Sequence, residues 1–399
     1  MTASTTGTDA VHFDPYDHGM VLDPYPVFAR MREEAPLYRN EALDFYAVSR
    51  YDDVSAVLQD HQTYSSARGD ILELIQADIE YPPGVLIFED PPIHPIHRRI
   101  LSRIFTPKRI AALEPEIRNF CVRALDPLVG STGFDVIADL GAQVPMRAIG
   151  MLLGIPESEQ EAVRDAVDES LRTESGKPMN QDQLLVDGEA FTQYVDWRAD
   201  NLSDDIISQL IQAQIEDETG TVRGLSRQEI VTYVTVLAGA GNETTGRLIG
   251  WATKLLADHP EQRAELAADH SLIPGAIEEI LRLEPPGPFF CRYVTRDVEW
   301  HGTTVPAGSV LMAVLAAANR DPRRYQDPDG FDIHRRVAHL SFGGGIHFCL
   351  GNALARLEGR VVLEEMLKRF PTWDVDLSAA RMSPTSTVRG WESLPVRIP

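Results

Sequence analysis

Cys349 lies in the run FGGGIHFCLG (342–351), with Gly343, Gly344, Gly345 and Gly351 around it and an apolar helical pattern directly after it. Glycines carry no Cβ, so they permit a tight turn and a close approach of backbone to a flat partner. A cysteine at the start of a helix meets free amides and the positive end of the helix dipole, which favour thiolate over thiol. Such a thiolate serves as a metal ligand or as a nucleophile, the latter being the chemistry of a cysteine hydrolase. The plain alternative for a lone cysteine is an inert buried thiol. A second group lies in AGAGNETT (238–245), where Glu243 and Thr244 set a carboxylate beside a hydroxyl. That pair suits proton delivery to a reacting atom; the competing reading is a helix bent by side-chain bonds to its own backbone.

The elements that must position these groups are mostly helical. Ser226 and Glu229 form an S-x-x-E capping box, apolar residues run on to Leu256, and Pro260 ends the element. Some thirty residues span about 45 Å, enough to cross the molecule. AGAGNETT falls in the middle of this helix, and its Gly, Asn and Thr are poor helix formers, so the pattern predicts a break there. A helix over Pro274–Leu283, stopped by Pro285 and Pro286, carries Glu279 and Arg282. Their E-x-x-R spacing is by itself that of any exposed salt bridge. A third helix, from about Leu350 to Phe370, follows the cysteine, with Leu350, Ala353, Leu354, Leu357, Val361 and Met366 on one stripe. Helices over Pro24–Glu34 and Val54–Asp60, a strand over Leu43–Val48 and a largely helical stretch from His94 to Leu128 precede them. Phe289–Leu315 reads as a small sheet with a turn at Pro306-Ala307-Gly308. Ser65–Pro92 is too long and broken for a plain connector and reads as an irregular, site-lining region. The polar stretch Ser170–Gln183 reads as a mobile loop.

Bulk properties narrow the classes. The chain has 399 residues, 43% hydrophobic and 24% charged, an ordinary globular composition. Its formal net charge of −23 argues against binding driven by nucleic-acid phosphates. The first dozen residues are polar and hold no apolar stretch fit for a signal peptide or membrane anchor. Three widely separated cysteines, Cys121, Cys291 and Cys349, then point to reduced thiols and a cytoplasmic location.

Phe342, Gly343, Gly345, His347, Cys349 and Gly351 match F-G-x-G-x-H-x-C-x-G, the haem-binding loop of the cytochrome P450 family. A chance match in one window is on the order of 10⁻⁸ at average usage. The chain thus resembles the bacterial type of that family from about His94 to Glu358. The resemblance implies a mainly α fold, a large helical part with a smaller β-rich part, and haem b between the long central helix and the cysteine-loop helix. It implies one catalytic domain over 16–399 behind a flexible tail over 1–15. Cys349 would be the iron ligand, Phe342 would cover the sulphur side, and His347 would reach a propionate. His94 and Arg98 match the family's H-x-x-x-R propionate contact, with His97 a rival to His94, and Arg292 matches an arginine used for the same purpose. Ala240 and Gly241 would lie on the haem's oxygen side, Gly241 opening the helix for dioxygen, and Glu243 and Thr244 would be the catalytic acid–alcohol pair. Glu279, Arg282 and Arg335 would brace the cysteine loop, with Arg336 competing for the third place. Leu86, Phe88, Val234, Leu237, Ala238, Pro288, Phe289, Phe290, Thr387 and Val388, with residues of the 170s and 180s, would line a pocket for a small to medium hydrophobic substrate. The implied reaction is hydroxylation with dioxygen and two external electrons, from a ferredoxin, or alternatively a flavodoxin, with its reductase. Lys108, Arg109, Arg356 and Arg360 would supply a basic docking patch on a monomer. Glu243 and Thr244 count against a peroxide-using relative and against a non-catalytic haem carrier; a cysteine hydrolase is the non-haem alternative, and a colourless, fully active protein would support it.

Overall fold

The computed structural model describes residues 10–170, 177, 189–336, 338–385 and 387–399. Its axis is the central helix, Arg227–Asp258, 32 residues and about 48 Å long. Both arms of its capping box form: the Ser226 hydroxyl accepts from the Glu229 amide at 3.2 Å, and the Glu229 carboxylate accepts from the Ser226 amide at 2.7 Å. Such a cap contributes about 1 kcal/mol. The break expected at AGAGNETT is absent; the helix runs through unbroken. Thr244 and Thr235 donate their hydroxyls back to the carbonyls of Ala240 (3.0 Å) and Val231 (2.9 Å), so neither competes for a helical amide. Close packing explains one glycine: a Cβ on Gly246 would stand 2.7 Å from the Gly141 carbonyl oxygen. Tertiary burial outweighs the weak local propensity.

The loop helix Asn352–Arg369 and the brace helix Ile273–Leu283 pack on the second half of this axis, where Gly359 leaves room for Leu248 and Ile277. The arginine-rich stretch resolves into helices Ile93–Ile104, Pro107–Ala112 and Glu114–Leu125. The smaller β part centres on a sheet of β1 (Leu37–Asn40), β2 (Phe45–Val48), β3 (Tyr64–Ser65), β4 (Phe290–Val294) and β5 (Val310–Ala313), ordered β1-β2-β5-β4-β3. Only β2 and β5 run parallel; the other pairs are antiparallel.

Three expectations need correction. Ser65–Pro92 is not wholly irregular, since it folds a helix at Leu72–Ala77 and a 3₁₀ turn at Leu86–Phe88. The tail does not stay loose to residue 15: Phe13 is buried with its ring edge-on to Phe28, Phe45 and Phe289, while residues 1–9 lie outside the described set. Val54–Asp60 is the later part of a helix that begins at Tyr51. The expected loop at Ser170–Gln183, and the pocket residues placed in the 170s and 180s, fall almost wholly outside the described residues.

Candidate active site

The cysteine loop is a turn closed by its own backbone: the Cys349 amide donates to the Phe342 carbonyl at 2.9 Å. Gly343 and Gly345 hold φ of 70° and 60°, which side chains rarely adopt. Gly345 also lies flat on the helix Tyr51–Gln59, where a Cβ would overlap the Leu58 carbonyl. Arg356 covers the Phe342 ring, its guanidinium 4.4 Å from the centroid. Cys349 lies deep yet keeps part of its surface open, whereas Cys121 and Cys291 are wholly buried. Burial pushes the Cys349 thiol up; the amides of Gly351 and Asn352 and the charges of Arg98 and Arg356 pull it down without overcoming burial. The helix start alone therefore does not make the thiolate. Burial lifts Cys121 further, to about 12.

The brace assembles. Glu279 and Arg282, each about 1% exposed, form a two-pronged pair at 2.7 Å, and Arg335 Nε reaches Glu279 at 3.0 Å. Arg282 also donates to the carbonyls of Asn319, Pro328 and Gly330. Asn319 in turn receives the Leu340 amide and donates to Ser341, whose hydroxyl donates to the Leu281 carbonyl. The buried pair thus holds the start of the cysteine loop to the brace helix. Arg336 points instead toward Gly275 and is exposed.

The basic residues converge from three distant segments. The rings of His94 and His347 stand 4.5 Å apart, and His347 Nε2 lies 4.0 Å from Asp90. Both Nε2 atoms are buried without a hydrogen-bond partner. Burial, with His347 and Arg98 nearby, lowers His94 to about 4, so its imidazole is neutral at pH 7. Arg98 donates to the Phe348 carbonyl beside the cysteine (2.6 Å), and buried Arg292 acts electrostatically on His347 and Asp90. His97 turns elsewhere, bound to Glu89 at 2.8 Å and edge-on to Tyr233. Orphaned imidazole nitrogens and two arginines next to a glycine-floored cysteine fit a flat cofactor with acidic side groups.

Behind Arg292 sits Asp70, whose carboxyl burial pushes from 3.8 to about 6 against the pull of that arginine. The folded chain holds this proton more tightly than the unfolded one, so ionised Asp70 costs stability, fully above about pH 6 and not at all well below 3.8. Asp70→Asn is expected to raise the melting temperature above about pH 6, a gain that shrinks on acidification; an equal gain at about pH 4 would contradict it.

Between Val231 and Thr253 the central helix is buried except at Thr235, Val236, Gly239, Ala240, Gly241 and Thr244. Val236, Ala240 and Thr244 stand one turn apart on one face. Glu243 is buried on the adjoining face and accepts from Arg247 Nη2 at 2.6 Å. Gly241 does not open the helix; a Cβ there would touch Ile149 at an ordinary 3.5 Å.

The cytochrome P450 family model matches residues 189–389. A putative cytochrome P450 123 of Mycobacterium tuberculosis is 36% identical over 98% of both chains. The chain belongs to the cytochrome P450 family. Among solved structures, cytochrome P450 CYP109Q5 from Chondromyces apiculatus is 34% identical, with a TM-score of 0.84 over 97% of this chain and 98% of that one. CYP109E1 from Bacillus megaterium, in complex with testosterone, is 29% identical, with a TM-score of 0.85 over 95% and 99%. The P450 fold, haem b with dioxygen as co-substrate, and monooxygenase chemistry fed by a redox partner follow from that membership. Among the described residues no helix is long and apolar enough to cross a membrane.

Around the P450 site the expected pocket residues divide. Leu86, Val234, Leu237 and Ala238 share one apolar cluster. Gly84 packs on Glu229 and Thr232, which lays the Leu86–Phe88 turn over the first half of the central helix. Val234 and Ala238, however, are fully buried beside the open stripe, because each residue turns the helix by about 100°. Val236, passed over in the sequence, lies on the stripe, and the i, i+4 spacing from Thr244 through Ala240 points to it; Gly239 is open at the stripe's edge. Phe88 packs against Tyr81, 4.7 Å between centroids with the rings tilted at 55°. Phe289 packs against Phe13 in the β part rather than against the central helix, and Phe290 against the neighbouring cluster. Pro288 accepts the Ala316 amide, and Val388 is held by the Thr385 hydroxyl at 2.7 Å. The basic patch is not free: Arg356 is paired with Glu278, Arg360 with Glu114 and Glu364, and Arg109 reaches Asp204. Lys108 stays exposed, as do Arg99 and Arg103, without an ion pair among the described residues.

Proposed function

We propose that Cys349 binds the haem iron and that this P450 hydroxylates a small to medium hydrophobic substrate with electrons from a ferredoxin. The carrying observation is a partly open thiol in a glycine turn, beside which Arg98 and Arg292 converge with two imidazoles whose buried Nε2 atoms make no close hydrogen bond. Haem, when bound, supplies the reductive activation of dioxygen and the insertion of one oxygen atom into substrate. The chain does the rest. Cys349, whose loop amides with Arg98 and Arg356 do not overcome its burial, would be held as thiolate by the positive charge that haem iron would supply there. His94, His347, Arg98 and Arg292 hold and orient the acidic edge of the cofactor. Val236, Gly239 and Ala240 present small, apolar surface to substrate and oxygen, excluding water from the open stripe. Thr244 keeps its hydroxyl on that stripe, and the Glu243 carboxylate, which accepts from Arg247, is the group one residue away that takes up and passes on the proton. The testosterone bound by the Bacillus megaterium relative supports an apolar substrate of that size class. Arg99, Arg103 and Lys108, rather than the paired arginines, suit an acidic ferredoxin on a monomer that is otherwise strongly negative.

The test is NADH consumption coupled to product in the presence of a ferredoxin and its reductase, with substrates chosen by a spectral-shift screen. Peroxide-driven turnover equal to the partner-driven rate would favour a peroxygenase instead. The propionate assignment has its own check. His94→Ala is expected to weaken haem retention by roughly tenfold or more, the loss of about 1.5–3 kcal/mol of charge-assisted bonding. His97→Ala would instead lower thermal stability by leaving buried Glu89 with only the Gly84 amide, with haem affinity kept; the reverse pattern would reassign the contact.

A further inference from the structure

Glu243 and Thr244 look into different spaces. Thr244 shares the open stripe with Ala240, whereas Glu243 faces the turn Ile137–Gly141 and the C-terminal hairpin of Arg381–Met382 and Trp391–Ser393. Arg247, one helical turn on, donates to Glu243 at 2.6 Å, to the Ser383 hydroxyl at 2.7 Å and to the Trp391 carbonyl. The hairpin is shaped around this guanidinium: a Cβ on Gly390 would stand 2.6 Å from Arg247 Cδ. Beside them lies a cavity of about 90 Å³ lined by Ala142, Asn242, Glu243, Arg247, Ser383 and Glu392, among others. Its lining is mixed, with Asn242, Glu243, Arg247, Ser383 and Glu392 supplying polar groups, and it has room for several ordered waters. Glu392 marks its solvent end, 31% exposed and 3.8 Å from Arg381.

We propose that this cavity is the inlet for the protons consumed in oxygen reduction, with Glu392 as the outer carrier and Arg247 as a latch on Glu243. The idea rests on the acid–alcohol reading above. A proton leaves the Glu392 carboxyl, crosses the cavity water and joins the Glu243 carboxylate; Glu392 recovers its proton from solvent. Neutral Glu243 loses most of its attraction to Arg247, and it turns to the Thr244 side. Arg247 is not orphaned by that departure, because Ser383 and Trp391 still accept from it, so the release leaves no buried cation unpaired. Having passed its proton on through the Thr244 hydroxyl, Glu243 returns as carboxylate to the latch. Two such rounds supply the two protons of one turnover.

The holoenzyme tests this with two readouts. In infrared difference spectra, the carboxylate band lost in Glu243→Gln is expected to convert to a protonated-carboxyl band in Arg247→Gln and to persist in Arg247→Lys. In turnover, Glu392→Gln is expected to slow product formation by roughly tenfold, below the 10²-fold or more of a direct proton donor, and to raise the solvent deuterium isotope effect. Substrate affinity should stay unchanged, and Glu392→Asp should restore the rate. Parent-like rates and isotope effects in Glu392→Gln and an unmoved band in Arg247→Gln, alongside a crippled Glu243→Gln, would overturn the inlet and leave the acid–alcohol pair standing. A parent-like Glu243→Gln would remove both.

Discussion

Cys349→Ala is expected to abolish the red-shifted absorption band of the reduced, carbon-monoxide-bound enzyme together with all hydroxylation. No other thiol can take over. Cys121 and Cys291 are fully buried, and burial alone drives both toward the neutral thiol, Cys121 to about 12 and Cys291 further. Neither sits in a turn that a flat ring could approach. Thiolate donation favours O–O cleavage in a way that a nitrogen ligand does not. Cys349→His therefore serves as the informative partner, retaining pigment with the band moved back and the turnover lost. Persistence of the band in Cys349→Ala, or its presence with a cysteine mapped elsewhere, would sink the assignment.

Glu279→Ala is expected to cost about 3–5 kcal/mol, because it strands Arg282 and Arg335 on a buried, uncompensated site. Against a typical total of about 5–15 kcal/mol, that is enough to unfold much of the population at growth temperature. The cysteine loop should fail first, since Asn319, Leu340 and Ser341 carry the brace into it, so haem content should fall more steeply than helical signal on warming. Arg336→Ala, at the competing position, should shift the melting temperature little, because that side chain is exposed. Equal losses in the two variants would show that the brace was assigned to the wrong arginine.

The sequence was most legible where chemistry demands residue types that local structure does not. Cys349 with its glycines could be placed because no helix or turn needs those residue types in that order, whereas Glu279, Arg282 and Arg335 could be placed only through the family resemblance that the cysteine loop carries. The capping box at Ser226 was equally readable, being a local exchange of two hydrogen bonds. The central helix misleads: Gly239, Gly241 and Thr244 look like a break in isolation, yet the helix runs on unbroken and Ala240 accepts the Thr244 hydroxyl. Which face a residue takes is legible only to within one or two positions, so Val234 and Ala238 stand in the sequence reading where the structure opens Val236 and Gly239. Long-range pairing was invisible. The arginines at 356 and 360 read as free charge because Glu278 and Glu114 come from helices that sequence spacing cannot bring together. Phe13 was assigned to a loose tail because its partners Phe28, Phe45 and Phe289 are scattered along the chain.

The flat seat of Gly345 on the Leu58 carbonyl has a consequence for how the enzyme is made. The cysteine turn has no finished shape until a segment from the first sixth of the polypeptide is already in place beneath it. That early segment leaves the ribosome long before the turn it supports, so pigment uptake must await the later of the two. Any cut between the two, even one far from the iron, should bleach the protein.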